Sequence, residues 1–348
     1  MTQSQTLQLT SRLSAVSARL DAVLARFGID EPVTVARTEH GLLNRVWRVG
    51  AADGSRWVLK QYLDDAGHSS SGAIAAQHAT IAALAAAGLP TVPPVAADDG
   101  RTLVLQRGRR YALFPFVDGT PPGPLSPRAA AELGTMLGRI HAELRRVQPP
   151  VLDPGRWPTA DPEQTRITIT SLLGAARAFS PREPFDALAE QRLRERLVLL
   201  DGYASRRPRA RSAPPAGWVH GDFHPLNLLY RGERVAAVLD WDRLGVKPVT
   251  EEAVRAATQF FADPHSGVLD LSRVRAYARA YRDASGHTAD HIAAAVHRVW
   301  WERLNDFWML RWRYARRDDR ATELFPAAAA QIVWWCEEYQ QVLDAYTN

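Results

Sequence analysis

The chain has 348 residues, of which 46% are hydrophobic and 23% charged, with a formal net charge of +5 and one cysteine. That is ample for a packed core and about twice the roughly 150 residues of a single domain. It excludes a disordered tail protein, a collagen-like repeat and a disulfide scaffold, because Cys336 has no second cysteine to pair with.

Leu7, Leu9, Leu13, Val16, Leu20, Val23 and Leu24 recur at helical spacing and predict an amphipathic packing helix over 5–28. They do not form the apolar core of a secretory signal. No apolar run reaches the roughly 20 residues of a membrane span. A cytoplasmic protein with no membrane partner is expected. Residues 33–63 read as strands, with a hairpin at Asp53-Gly54 and a strand ending Val58-Leu59-Lys60. Residues 72–87 read as a helix stopped by Gly88-Leu89-Pro90. A second hairpin is expected from 101–106 and 110–117. Asp118-Gly119 and a proline-rich run over 121–127 then break the pattern, and Ser126-Pro127 opens a helix to about Arg146. Beyond it the chain reads as helical, except for short strands at 217–220, 227–230 and 234–240. The fold class is therefore α+β. A small β-rich lobe, 1–115, leads through a hinge, 116–124, into a larger helical lobe, 125–348. A ligand site is expected where the lobes join.

The basic residues carry a sharper signal than the net charge. Of 43 lysines plus arginines only Lys60 and Lys247 are lysines. A lysine kept in such a chain suggests a need for a compact ammonium that the planar guanidinium does not imitate. Arg206, Arg207, Arg209 and Arg211 form the densest basic run. Without the aromatic or glycine pattern of a nucleic-acid module it reads as a solvated loop, and no nucleic-acid partner is expected.

The segment His220-Gly221-Asp222-Phe223-His224-Pro225-Leu226-Asn227 sets an aspartate and an asparagine five apart, and Leu239-Asp240-Trp241-Asp242 follows a short apolar strand. This is the spacing of a kinase catalytic loop followed by a metal-binding aspartate. A loop presents Asp222 to an attacking hydroxyl, and a hairpin then returns the chain so that Asn227 and Asp240 can share Mg²⁺, an ion satisfied by few protein oxygens plus phosphate and water. There is no Walker-type phosphate loop.

These motifs resemble the aminoglycoside phosphotransferase/choline kinase-like family, over roughly residues 35–260. The resemblance implies a bilobal protein-kinase-like fold that uses ATP (or GTP) and Mg²⁺ to phosphorylate a hydroxyl of a small molecule. It makes Asp222 the catalytic aspartate, Asn227 and Asp240 the metal ligands, and Lys60 the phosphate-binding lysine. Arg243 and Glu252 match positions that brace the loop. Asp242 stands where many kinases have glycine, and either contacts a second metal or pairs with Arg243. His224 and His141 are expected to be satisfied by packing, and Lys247 to lie at the surface. His40-Gly41-Leu42-Leu43-Asn44 replaces the glycine-rich loop, with Gly41 backbone and the Asn44 amide near the phosphates. Pro115 is expected to accept from adenine through its carbonyl and Val117 to donate through its N–H, since proline has no N–H. The family's glutamate partner of the lysine is missing: the equivalent position is Gln77, a residue that cannot form an ion pair.

Substrate choice is expected to lie in the helical lobe. Six of eleven tryptophans fall between 300 and 335, and most should pack helices together. Glu302 and Asp306, read as four apart on one helix, with Trp301 beside them, are candidates for binding the acceptor. Residues 297–320 hold seven arginines against four acids, which does not favour a polycationic acceptor. An antibiotic, a sugar and an amino alcohol all stay open, as do a homoserine- or choline-type metabolic kinase and a nucleotide-binding pseudokinase.

Overall fold

The structure is a computed structural model that describes residues 20–30, 32–38, 44–63, 70–151 and 157–348. The chain divides into two compact units, residues 1–120 with 228–243, and residues 121–227 with 244–348.

The first unit is built on an antiparallel sheet of β1 (Pro32–Arg37), β2 (Arg45–Ala51), β3 (Arg56–Tyr62), β4 (Val104–Gln106) and β5 (Arg109–Pro115), in the order β1-β2-β3-β5-β4. Alternation sorts its faces. Trp47, Val49, Leu59, Tyr111 and Leu113 pack with Leu20, Val23 and Leu24, the last from the helical turn α1 over 20–25. The expected helix over 5–28 is thus present in its C-terminal part, and 5–19 lie outside the described residues. Tyr62 and Ala112 face the other way, onto Ile74 of α2 (Ser71–Ala86). Ser70 caps α2 by accepting from the Ala73 N–H at 3.1 Å, and Gly88 follows its end at φ +77°.

The hairpin of β7 (Leu228–Arg231) and β8 (Arg234–Val238) belongs to this first unit, although the sequence reading gave 125–348 to one lobe. Backbone pairing is the reason. Thr120 and Tyr230 exchange two bonds at 3.1 and 2.8 Å, and the Val238 N–H donates to the Pro90 carbonyl at 2.7 Å.

The second unit contains α3 (Pro127–Val147), α4 (Pro162–Ala178), α5 (Pro184–Tyr203), α6 (Val249–Phe260), α7 (Leu271–Ser285), α8 (Ala289–Leu304), α9 (Trp308–Arg311), α10 (Phe325–Glu337) and α11 (Tyr339–Thr347). A two-stranded ribbon pairs β6 (Ala216–Val219) with β9 (Gly245–Pro248). Strand β9 is absent from the sequence reading: four residues ending in proline show no alternation to recognise. No helix among the described residues is long and apolar enough to cross a membrane.

The basic run at 206–211 is engaged by its own unit. The Arg206 guanidinium lies 4.3 Å from the Tyr339 ring centre, its carbonyl accepts from His297 at 2.9 Å, and Arg207 pairs with Asp161 at 2.7 Å.

Helices α3 and α7 approach closely at Gly134 and Gly138. A Cβ at Gly134 would collide with the Tyr277 carbonyl, and one at Gly138 would lie 2.7 Å from Ala284 Cβ. The obstacle at Gly134 is backbone, so the helices must separate. Gly134→Ala should therefore destabilise by about 1–3 kcal/mol despite alanine's better helix propensity. A thermal melt should show Tm lowered by several degrees; an unchanged or raised Tm would mean that the packing yields freely.

Candidate active site

In the first unit the chemistry gathers around one ammonium. Lys60 sits in β3 opposite Val46 and Ala112. Its Nζ donates to Asp240 Oδ1 at 2.8 Å and to Asp242 Oδ1 at 2.7 Å. Burial works against its charge, but the Asp240 and Asp242 carboxylates outweigh it and hold Lys60 well above the ordinary lysine range. Burial, reinforced by neighbouring Asp240, pushes Asp242 up, with Lys60 opposing. Asp240 adopts φ +57°, a left-handed conformation that costs an L-residue about 1–2 kcal/mol and is least unfavourable for Asn and Asp. The buried Trp241 indole donates to the Val238 carbonyl at 3.2 Å, closing this turn.

Three of the expected site residues have partners here. Asp242, expected on a second metal or on Arg243, binds Lys60 and accepts from Asn44 Nδ2 at 2.5 Å. Asn44, expected near phosphates, has both polar ends engaged, because its Oδ1 accepts from the Leu63 N–H at 3.2 Å. Gln77 donates its amide to the Trp241 carbonyl, so it secures the segment carrying both aspartates. Arg243 ends this turn with an exposed side chain. Gly41 lies outside the described residues. Pro115 closes β5 opposite Trp57, the Phe116 N–H donates to the Arg56 carbonyl at 3.0 Å, and Val117 follows as the chain leaves the sheet. Next door, His78 holds the Tyr62 hydroxyl at 3.0 Å and Thr102 at 2.7 Å, and burial, helped by Lys60, lowers its pKa to about 4. It is neutral at pH 7.

In the second unit Asp222 rides on a braced loop. Glu252, buried in α6, accepts from the His220 N–H at 3.1 Å and from the Gly221 N–H. It also takes a bond from His141 Nε2 at 2.8 Å, while His141 Nδ1 meets the Tyr281 hydroxyl at 2.9 Å. Burial disfavours the Glu252 charge, yet the His141 bond, the charge of His141 and His220 and the Gly221 N–H hold it below the usual carboxylate range. Gly221, at φ +87°, makes the turn that a side chain would strain. The Asp222 N–H donates to His220 Nδ1 at 3.2 Å, and Asn227 Nδ2 donates to the Asp222 carbonyl at 2.9 Å. His224 lies within the loop, its Nε2 3.8 Å from Asp222 Oδ2 and its Nδ1 accepting from the Leu226 N–H at 3.3 Å.

His141 is the functional neighbour that sequence reasoning filed under packing. It is 3% exposed, as a core histidine should be, but its bond to Glu252 ties the core to the loop. Lys247 also moves: expected at the surface, it is half-buried in β9 with Nζ 3.4 Å from the Gly221 carbonyl.

The acceptor candidates separate. Trp301 is fully buried and donates to the Ala160 carbonyl at 3.0 Å, which makes it a packing residue. Glu302 and Asp306 do not share a helix, because α8 ends at Leu304. Glu302 is clasped by Arg255 at 2.8 Å. Burial opposes its charge, but Arg255 first, then Arg303 and Lys247, hold it below the usual range. Burial pushes Asp306 up, against Arg303.

Glu252→Gln tests the brace. Hydrogen bonds to a charged acceptor contribute about 1.5–3 kcal/mol each, so the loss should lower Tm by several degrees and turnover by at least tenfold. Because the folded pKa is depressed, the wild type carries stability that is present above the unfolded glutamate value, near 4.3, and lost as pH falls below it. Melts across pH 3–6 should show that acid-side loss reduced in the variant. Parallel curves would remove Glu252 as a charged brace.

Comparison with known proteins gives the family and the fold. The model of the phosphotransferase enzyme family matches residues 34–287. A homoserine kinase of Burkholderia cenocepacia is 27% identical over 246 residues, covering 66% of this chain and 68% of the relative. Among solved structures, a microcompartment-associated aminopropanol kinase superposes with a TM-score of 0.61 at 19% identity, over 95% of this chain and 99% of the other. Spectinomycin phosphotransferase, in complex with ADP and spectinomycin, gives 0.58 at 14% identity, over 88% and 94%. The fold is protein-kinase-like, as the motifs implied. With about three-quarters of its length matched by the family model, and with small-molecule kinases as its relatives, the chain belongs to the phosphotransferase enzyme family.

Proposed function

We propose that this small-molecule phosphotransferase moves the terminal phosphoryl group of ATP to the hydroxyl of a small amino alcohol, with homoserine as the first candidate. The observation that carries the reading is the ammonium of Lys60 held by Asp240 and Asp242, next to a sheet whose exit strand ends at Pro115.

Each residue has a role in this scheme. Lys60 binds phosphate oxygens as a point charge. The Pro115 carbonyl accepts from the exocyclic amine of adenine and the Val117 N–H donates to the ring. A carbonyl there would face the O6 of guanine, which favours ATP over GTP. Asp222 accepts the acceptor's hydroxyl proton, the freed oxygen pair bonds phosphorus, and the bond to the bridging oxygen breaks toward ADP. Magnesium fits the donor set, because an ion carried on phosphates needs only one or two carboxylates from the protein. Asn227 and Asp240 are the groups to hold it, and when bound it would neutralise charge on the transferring phosphates. Asn227 uses its Nδ2 on the Asp222 carbonyl, which leaves its Oδ1 for a cation.

Two observations support an amino alcohol. A relative 27% identical is a homoserine kinase. Charges of both signs, Glu302 with Arg255, Arg303 and Lys247, influence one another in the second unit. Such a set suits a zwitterion better than the polycation of an aminoglycoside. Intact Lys60, Asp222, Asn227 and Asp240 speak against a pseudokinase.

A panel of homoserine, other amino alcohols, sugars and aminoglycosides, with ATP and Mg²⁺, tests this by detection of the phosphorylated product. Homoserine-like acceptors should be phosphorylated. Asp222→Ala should lower kcat by about 10²–10⁴-fold while AMP-PNP still binds. If no acceptor gains phosphate, and wild type and variant consume ATP alike, the reading is wrong.

A further inference from the structure

We propose that Asp242 is the positioning carboxylate of Lys60, taking over the task that a glutamate at position 77 would otherwise perform. The inference rests on the phosphotransferase reading for its kinetic consequence, but the interaction itself stands on geometry.

Four contacts define it. Lys60 Nζ lies 2.7 Å from Asp242 Oδ1, and Asn44 Nδ2 lies 2.5 Å from Asp242 Oδ2, so both carboxylate oxygens are occupied by donors. Asn44 is fixed in turn by the Leu63 N–H at 3.2 Å, one residue beyond the end of β3. Gln77 points its amide at the carbonyl of Trp241, the residue between the two aspartates. Where a carboxylate could have faced the lysine, α2 instead offers an amide that donates to the turn. The charge missing from α2 is therefore supplied by the turn that α2 anchors. Asp242 side-chain exposure is 20%, against 44% for Asp240. The more enclosed carboxylate is suited to hold the lysine, and the more open one to meet a ligand. A glutamine carbonyl could accept from the ammonium but brings no opposite charge, so it could not have kept the ammonium in place equally well.

The chain's two lysines make the test direct. Protein labelled with ¹³C-lysine gives two ε-methylene signals, and Lys60→Arg identifies the one from Lys60. In the wild type the geminal protons of Lys60 should be split, as for a fixed side chain. They should move toward the averaged position of a free lysine in Asp242→Asn. They should separate again in Gln77→Glu/Asp242→Asn, where the carboxylate is returned to α2. Asp242→Glu, which keeps the charge, should stay close to wild type.

With the acceptor found by the panel, Asp242→Asn should lower kcat/KM for ATP by about 10–100-fold, and the double variant should recover at least tenfold of it. A group acting only on a metal could not be replaced from position 77. An unchanged Lys60 signal in Asp242→Asn, or a double variant no better than Asp242→Asn in both measurements, would overturn the proposal. Failure of every acceptor in the panel would strike the reaction instead and leave the resonance measurement to decide the role of Asp242.

Discussion

A single buried ammonium dictates much of the small unit. Taking a charge out of water costs several kcal/mol even in a relaxed protein interior, and removing one partner of such a pair strands the other. Lys60, whose side chain is 12% exposed, is tolerated because two carboxylates lie within 2.8 Å. Bringing both to one nitrogen requires a chain reversal within three residues. That reversal is why Asp240 takes a left-handed backbone, why Trp241 is buried beneath it, and why Gln77 is spent on a backbone carbonyl. A guanidinium would distribute its charge over a planar fork. The convergence of two short carboxylates on one atom explains why lysine persists here in a chain that otherwise uses arginine.

The larger unit solves a similar problem with the signs exchanged. Glu252 is a buried anion surrounded by donors: two successive backbone N–H groups and an imidazole. Two N–H groups can aim at one carboxylate only if the chain bends sharply between them, and Gly221 provides the bend at φ +87°. Asp222 follows at once, so its direction is set by a buried charge rather than by loop flexibility. Preorganisation of this kind limits the reorganisation needed at the moment of reaction.

The sequence was informative wherever chemistry is written in short spacings. Asp222 and Asn227 five apart, a strand closing on Lys60, the Asp53-Gly54 turn and the capped helix at Ser126 are local patterns, and local physics makes them. The rest depended on distance along the chain. Asn44 and Asp242 are 198 residues apart, and no periodicity connects them. The pairing of Thr120 with Tyr230 joins β7 and β8 to the small unit through backbone atoms alone, which leave no mark in side-chain identity. Glu302 and Asp306 looked like neighbours on a helix because an i, i+4 interval was assumed to continue. The Asn305 N–H bonds to the Glu302 carbonyl at 3.0 Å, a tighter turn that ends α8 first.

Positions 77 and 242 illustrate why a missing motif residue need not be a missing function. Read alone, Gln77 is a loss: a helix that should offer a carboxylate offers an amide. Read alone, Asp242 is an excess, because a second carboxylate beside Asp240 adds like-charge repulsion to the burial that already pushes Asp242 up. Each resolves the other. The extra negative charge is tolerable only beside an ammonium that has no carboxylate from α2, and the amide is useful only where a turn presents its carbonyl. Charge balance around Lys60, rather than identity at any one position, is the quantity the fold has to keep.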